Sequence, residues 1–204
     1  MRSVAVMSRK GGSGKTTISH LLSLGAVWND MPAYLLHTDD RDPITVIGRP
    51  YEYLDARDID KLIKYYNHLQ KPHIPGLIVL DSGGNRPKFD AWIGEHVDLV
   101  IIPVQLDGED VTVAVKHGYD LTKQGSDVRY LVNRCPARLS KYDNELISRL
   151  PTEKIIGKLG EVRASRHLRD SDSNGGFCTP STQVNNASRH LYRCLINHVK
   201  LIDC

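Results

Sequence analysis

Lys10-Gly11-Gly12-Ser13-Gly14-Lys15-Thr16-Thr17, close behind the apolar run Val4-Ala5-Val6-Met7, decides the reading of the chain. The small residues Gly11, Gly12, Ser13 and Gly14 let the backbone turn tightly enough for successive N–H groups to converge on phosphate oxygens. The helix expected to follow points the positive end of its dipole at the same place. Lys15 then reaches the β- and γ-phosphates, and Thr16 has the position whose hydroxyl coordinates Mg²⁺, which offsets their charge. Gly11 to Thr17 is therefore the candidate nucleotide site.

Outward from that stretch, short apolar runs alternate with helix-length segments. Val4–Met7, Ala33–Leu36, Leu77–Leu80, Leu99–Val104, Val128–Val132 and Ile155–Leu159 read as strands buried on both faces, the pattern of a parallel sheet. Thr16–Trp28, Leu54–Leu69, Val111–Lys123 and Asn144–Leu150 have helical apolar spacing. Together they predict one α/β domain over residues 1–204, a doubly wound, mostly parallel sheet with helices on both faces. Asp170–Gly176 reads as a polar, glycine-rich surface loop, followed by a final helix from about Ser181 to Ile202. Ligands in such sheets sit at the carboxyl ends of the strands, where the glycine-rich turn, the acidic cluster after the second strand and Asp81 all fall.

The glycine-rich turn departs from the common phosphate-loop spacing, with no glycine at the leading position and a second lysine, Lys10, five positions before Lys15. In this it resembles the deviant Walker A motif of the ParA/MinD family of ATPases, most like the small plasmid-type members. The resemblance implies ATP and Mg²⁺ as cofactors and a nucleotide-sandwich homodimer formed on ATP binding, in which Lys10 crosses to the partner's nucleotide. Asp81, at the end of Leu77-Ile78-Val79-Leu80, stands where a Walker B carboxylate holds the Mg²⁺ shell. The following Ser82-Gly83-Gly84-Asn85 resembles a switch II turn that registers the γ-phosphate.

His37-Thr38-Asp39-Asp40-Arg41-Asp42-Pro43 resembles the family's switch I signature, Asp-x-Asp-Pro, in two registers. The ungapped register puts His37 in the first aspartate's place and makes Asp39 the residue that positions the attacking water. A shift of three uses Asp40 and Asp42 instead. Thr16, Asp39 and Asp81 are the candidate residues around the metal, and Lys10, Lys15 and Asp39 the candidates for catalysis. Asn133, closing Leu131-Val132-Asn133, either recognises adenine, as the resemblance implies, or caps a strand end.

With 204 residues, 40% of them hydrophobic, the chain suits one α/β domain. It begins on a core strand and has no apolar run of bilayer length, so a cytoplasmic protein is expected. Cys135, Cys178, Cys194 and Cys204 show no metal or redox spacing and read as free thiols; none suits a cluster shared between subunits. A net charge of +3 permits nucleic-acid binding through a local patch. Arg163, Arg166 and Arg169 would lie along one side of a helix, and Arg189 and Arg193 along another; doubled in an ATP-bound dimer, they would grip DNA phosphates without reading sequence. The resemblance thus implies a nucleoid-associated ATPase that partitions or positions a plasmid-like element with a separate adaptor protein. A MinD-like or conjugation-associated positioning role, and a small-molecule ligase on the same scaffold, are the alternatives. A membrane anchor is not expected, because the stripe Leu191, Leu195 and Ile202 has the spacing of core packing and lacks flanking lysines and bulky aromatics.

Overall fold

The computed structural model describes residues 1–43, 46–72, 74–83, 86–162 and 172–198. The described strands are β1 (Arg2–Val6), β2 (Ala33–His37), β3 (Glu52–Asp55), β4 (Leu77–Asp81), β5 (Leu99–Val104), β6 (Val128–Val132) and β7 (Ile155–Lys158). The helices are α1 (Lys15–Val27), α2 (Ile59–Leu69), α3 (Pro87–His96), α4 (Gly108–Lys123), α5 (Lys141–Ser148) and α6 (Thr182–Ile196). The seven strands form one sheet in the order β3-β2-β4-β1-β5-β6-β7, and every pairing is parallel. The doubly wound fold expected from the apolar runs is the fold observed.

Alternation along the buried strands sorts their side chains onto two faces. Val4 and Val6 of β1, Leu77 and Val79 of β4, and Leu99 and Ile101 of β5 join one core cluster, which α1 and α6 cover with Ile18, Leu21, Leu22, Leu191 and Leu195. Ala5, Ile78, Leu80, Val100 and Ile102 face the other way, against Leu62 of α2, Ile93 of α3, Val111 of α4 and Leu146 of α5. Because both faces are covered, the central strands are apolar at almost every position. The apolar side of α6 is part of this core: Leu191 and Leu195 are fully buried.

Several boundaries differ from the sequence expectation, for local reasons. The helix expected from Leu54 starts at Ile59, because Glu52–Asp55 pairs with β2 as an edge strand and Asp58 caps the helix, accepting from Asp60 N at 3.1 Å and Lys61 N at 3.0 Å. α3 was not anticipated; Pro87 opens it, and Phe89 and Ile93 give its buried side. α4 begins three residues before Val111 because Asp107 caps it, and α5 begins at Lys141 in a capping box of Ser140 with Asp143. The expected surface loop is described from Asp172 onward and bridges Ile47 to Gly176. The end of the final helix beyond His198 lies outside the described residues.

α1 and α6 approach closely at Gly25, where an added Cβ would collide with the Ser188 carbonyl. Backbone cannot yield as a rotamer does, so Gly25→Ala should destabilise toward the upper end of the about 1–3 kcal/mol typical of overpacking. That exceeds the ~1 kcal/mol that alanine gains over glycine in a helix. A lowered urea midpoint measures it, and an unchanged midpoint would mean that the two helices are not packed at this distance.

Candidate functional site

β1 lies at the middle of the sheet between β4 and β5, so the turn that leaves it opens at the centre of the carboxyl edge. Met7 N donates to Ile101 O at 3.0 Å, after which the chain leaves the ladder. Gly12 and Gly14 have φ of 76° and 96°, the left-handed region that a side chain would strain. Gly14 is the N-cap of α1 and supplies no capping side chain, while the first intrahelical bond runs from Ile18 N to Gly14 O at 3.0 Å. The N–H groups of Lys15, Thr16 and Thr17 therefore stand at an uncapped helix start, the arrangement that binds anions. Gly11 and Gly12 face open space.

Two side chains from neighbouring strand ends brace this loop. Gln105 Nε2 donates to Gly12 O at 2.8 Å, and Asn133 Nδ2 donates to Ser13 O at 2.8 Å. Asn133 is buried and packs so closely on Gly14 that a Cβ there would strike its amide. Lys15 folds back over the loop, its Nζ 3.5 Å from Lys10 O. Burial lowers the Lys15 pKa, with the carboxylates of Asp81 and Asp39 working in the opposite sense.

Asp81 ends β4 fully buried. Its Oδ1 accepts from Ser19 Oγ at 3.3 Å, whereas Oδ2 has no hydrogen-bond partner among the described residues. His37 Nδ1, on the adjacent strand in register with Asp81, is 3.9 Å from that oxygen, beyond hydrogen-bond reach. An orphaned buried carboxylate oxygen at the end of the strand beside the glycine-rich turn fits the outer coordination shell of a divalent cation. The Thr16 hydroxyl is the other donor that suits such an ion, and it lines a small cavity with His37, Arg41 and Asp42.

The acidic cluster after β2 divides by exposure. Asp39 is buried and clamped by Arg41, which donates through its backbone N at 3.1 Å, Nε at 3.2 Å and Nη2 at 2.6 Å. Burial opposes the charge of Asp39, but these bonds outweigh it and hold the carboxyl below its usual pKa. Asp40 and Asp42 are exposed and pair with Arg86 at 3.3 Å and Arg57 at 2.5 Å. Arg86 also donates to Thr38 O at 2.6 Å and Arg57 O at 2.9 Å while its guanidinium lies over Phe89, so one side chain joins the acidic turn to the start of α3. Arg41, Arg57 and Arg86 carried no role in the sequence reading; each alternates with acidic residues or precedes a proline, and only the fold brings them together.

No family model and no curated protein matches the chain. Among solved structures, the MinD cell division protein of Aquifex aeolicus aligns with a TM-score of 0.73 and 17% identity over 98% of each chain. A putative plasmid partition protein from Borrelia burgdorferi B31, bound to AMPPNP, gives 0.67 and 15% over 97% of this chain and 99% of that one. The septum site-determining protein MinD of Pyrococcus horikoshii, complexed with Mg-ADP, gives 0.69 and 16% over 95% of each. The fold is that of the MinD and ParA-type P-loop ATPases.

Within this MinD/ParA-type fold, Lys10 sits in an acidic cage at the start of α4. Its Nζ lies 2.5 Å from Asp110, 2.9 Å from Glu109 and 3.7 Å from Asp107. Hydrogen bonds to Asp110 and then Glu109 are the largest causes of a pKa well above the usual lysine range. No motif marks these acids in the sequence, although their position directly after β5 on the carboxyl edge is a usable signal. Arg189 and Arg193 are exposed on α6, remote in sequence from the loop, and Arg163, Arg166 and Arg169 lie outside the described residues, as do Gly84 and Asn85 of the expected switch II turn.

Asn133→Ala would leave the Ser13 carbonyl without its donor. Loss of a buried partner at the scale of about 1–3 kcal/mol should weaken nucleotide binding roughly tenfold. Because the bond is to the loop, ATP and GTP should weaken alike in calorimetry; a loss confined to ATP would mean that Asn133 reads the base instead.

Proposed function

We propose that this chain is an ATPase switch of the partition and positioning kind, which dimerises on ATP, binds DNA without sequence preference in that state, and resets on slow hydrolysis. The observation that carries the reading is the uncapped start of α1 beneath a braced glycine loop, with Lys15 beside it and the orphaned Asp81 oxygen next to it. Backbone N–H groups from Gly11 to Thr17 and the Lys15 ammonium would hold the phosphates. Thr16 and Asp81 would hold Mg²⁺, directly or through its water shell, and when bound that ion supplies charge neutralisation between the β- and γ-phosphates. Asp39 would orient the attacking water, which requires it to exchange Arg41 for that water. Slow turnover would follow, because Asp39, Lys10 and the second copy must all be brought into place before water is aligned.

Lys10 would cross to a second copy's nucleotide after leaving Asp107, Glu109 and Asp110. Arg189 and Arg193, exposed on α6, with Arg163, Arg166 and Arg169, would supply phosphate contacts that the dimer doubles. An adaptor protein would choose the cargo, and the proposed location is the cytoplasm, on the nucleoid. No described helix is long and apolar enough to cross a membrane. The burial of Leu191 and Leu195 of α6 in the core supports a reading without a lipid anchor on that helix.

The test is binding to a sequence-neutral duplex with ATP, ADP or no nucleotide at one salt concentration, with dimer size followed in parallel. Dimerisation and DNA binding with ATP alone are expected, both lost in Lys15→Ala and both prolonged in Asp39→Ala. Dimerisation without DNA binding would favour a positioning role through a protein partner, and neither would favour a small-molecule enzyme. Prolongation by Asp42→Ala in place of Asp39→Ala would establish the shifted register.

The acidic cage makes a separate prediction. Glu109→Gln with Asp110→Asn removes two of the three carboxylates competing for Lys10, so ATP-dependent dimerisation should tighten by a few-fold, and by less at high salt. Sedimentation of the double variant measures this; weaker dimerisation would mean that these acids support the interface rather than restrain Lys10.

A further inference from the structure

β3, β2 and β4 are neighbours in the sheet, and one side chain ties their carboxyl ends together. Arg86, the N-cap residue of α3, directs each nitrogen of its guanidinium to a different acceptor. Nη1 donates to Thr38 O, just past β2, at 2.6 Å, and Nη2 donates to Arg57 O, between β3 and α2, at 2.9 Å. Nε pairs with the Asp40 carboxylate at 3.3 Å. The guanidinium carbon lies over the Phe89 ring, 3.6 Å from its centroid, and the side chain is only 19% exposed. A lysine could not reproduce this, because a single ammonium on a flexible stem has no planar fork to reach spread acceptors and stack at once.

Two of the three acceptors bracket Asp39: the Thr38 carbonyl precedes it and the Asp40 carboxylate follows it. The Asp39 backbone also rests on the turn after β4, since a Cβ added at Gly83 would come 2.7 Å from Asp39 Cα, and Gly83 N donates to Thr38 Oγ1 at 3.3 Å. Among the described residues, the hydrogen bonds to the Asp39 carboxylate come from Arg41 instead. One arginine therefore holds the side chain of Asp39 and another holds its main chain. When Arg41 lets go, the hold of Arg86 is untouched.

We propose that Arg86 is a positioning residue, which keeps the Asp39 backbone in place while the Asp39 carboxylate exchanges Arg41 for the attacking water. The consequence for turnover rests on the ATPase reading; the hold on the backbone stands on the geometry alone. A displacement of about 1 Å in a group that aligns a reactant can cost roughly a hundredfold in rate, so a residue that never touches nucleotide can still govern hydrolysis.

The experiment compares Arg86→Ala and Arg86→Lys with the wild-type chain in single-turnover hydrolysis of labelled ATP, in calorimetry with ATP and ADP, and in amide hydrogen exchange without nucleotide. Arg86→Ala should slow hydrolysis by roughly ten- to a hundredfold while both nucleotide affinities stay at the wild-type value. Added ethylguanidinium should restore part of that rate, and ethylammonium should not. Arg86→Lys, which keeps the charge and the stem over Phe89, should remain well below wild type, and it carries the test if the alanine variant fails to fold. Exchange at the Arg41 and Gly83 amides should quicken in both variants. Hydrolysis at the wild-type rate, ATP affinity lost in step with hydrolysis, or unchanged exchange at both amides overturns the proposal. A wild-type chain that does not turn over ATP would defeat the ATPase reading, and the exchange data would then decide by themselves whether Arg86 holds Asp39.

Discussion

Everything near the carboxyl edge depends on one constraint: the backbone N–H groups from Gly11 to Thr17 must face outward without acceptors among the described residues. A chain normally removes such groups by capping, and an Asp or Ser at the N-cap would do so, as at α2, α4, α5 and α6. At α1 the N-cap is glycine in the left-handed region, which opens the helix with its donors unpaired. The loop then needs support from elsewhere, since unpaired backbone does not hold its own shape. Gln105 and Asn133 supply it by bonding the carbonyls of Gly12 and Ser13, which anchors the back of the loop and leaves its front open. Both braces come from the ends of strands on one side of β1, so the parallel sheet is what makes the open loop rigid.

A second pattern follows from the charges around that loop. Lys10 is held by three carboxylates, Asp39 by Arg41 and Asp42 by Arg57. These are local pairs, most with a partner exposed enough for water to screen, and exchanging one costs little. Lys15 and Asp81 differ: the lysine is desolvated, and the carboxylate keeps one oxygen without a partner among the described residues. Groups with unsatisfied charge at the centre and easily exchanged pairs at the rim describe a site whose core is preorganised and whose edges must rearrange.

The parts of this arrangement legible in the sequence are those set by local pattern. Continuous apolar runs mark the five inner strands because burial on both faces removes polar residues; β7, expected to be buried likewise, is an edge strand with only Ile156 buried, and the glycine spacing marks the loop because positive φ selects glycine. The edge strand Glu52–Asp55 escaped notice because its residues are only partly buried and mimic the start of the following helix. α3 escaped because its apolar side needs just Phe89 and Ile93. Side-chain partnerships were the least legible: Asn133 with Ser13, Lys10 with Asp110 and Arg86 with Thr38 join residues 120, 100 and 48 positions apart, and no spacing rule reaches across a sheet.

In the ungapped register His37 stands where the Asp-x-Asp-Pro signature has its first aspartate, and the fold gives that difference a physical reading. It is in register with Asp81 on the neighbouring strand, so an aspartate there would place two carboxylates side by side in a buried setting, a costly arrangement unless a cation lies between them. The imidazole avoids that repulsion. It also does what a carboxylate cannot, since its Nε2–H donates to the Arg41 carbonyl at 2.9 Å and so ties the end of the turn back to the strand. That bond fixes the same residue whose guanidinium clamps Asp39. Substituting histidine for aspartate therefore moves this position from the group that would surround a metal to the group that holds the acidic turn closed, and Asp39 and Asp81 remain as the carboxylates facing Lys15.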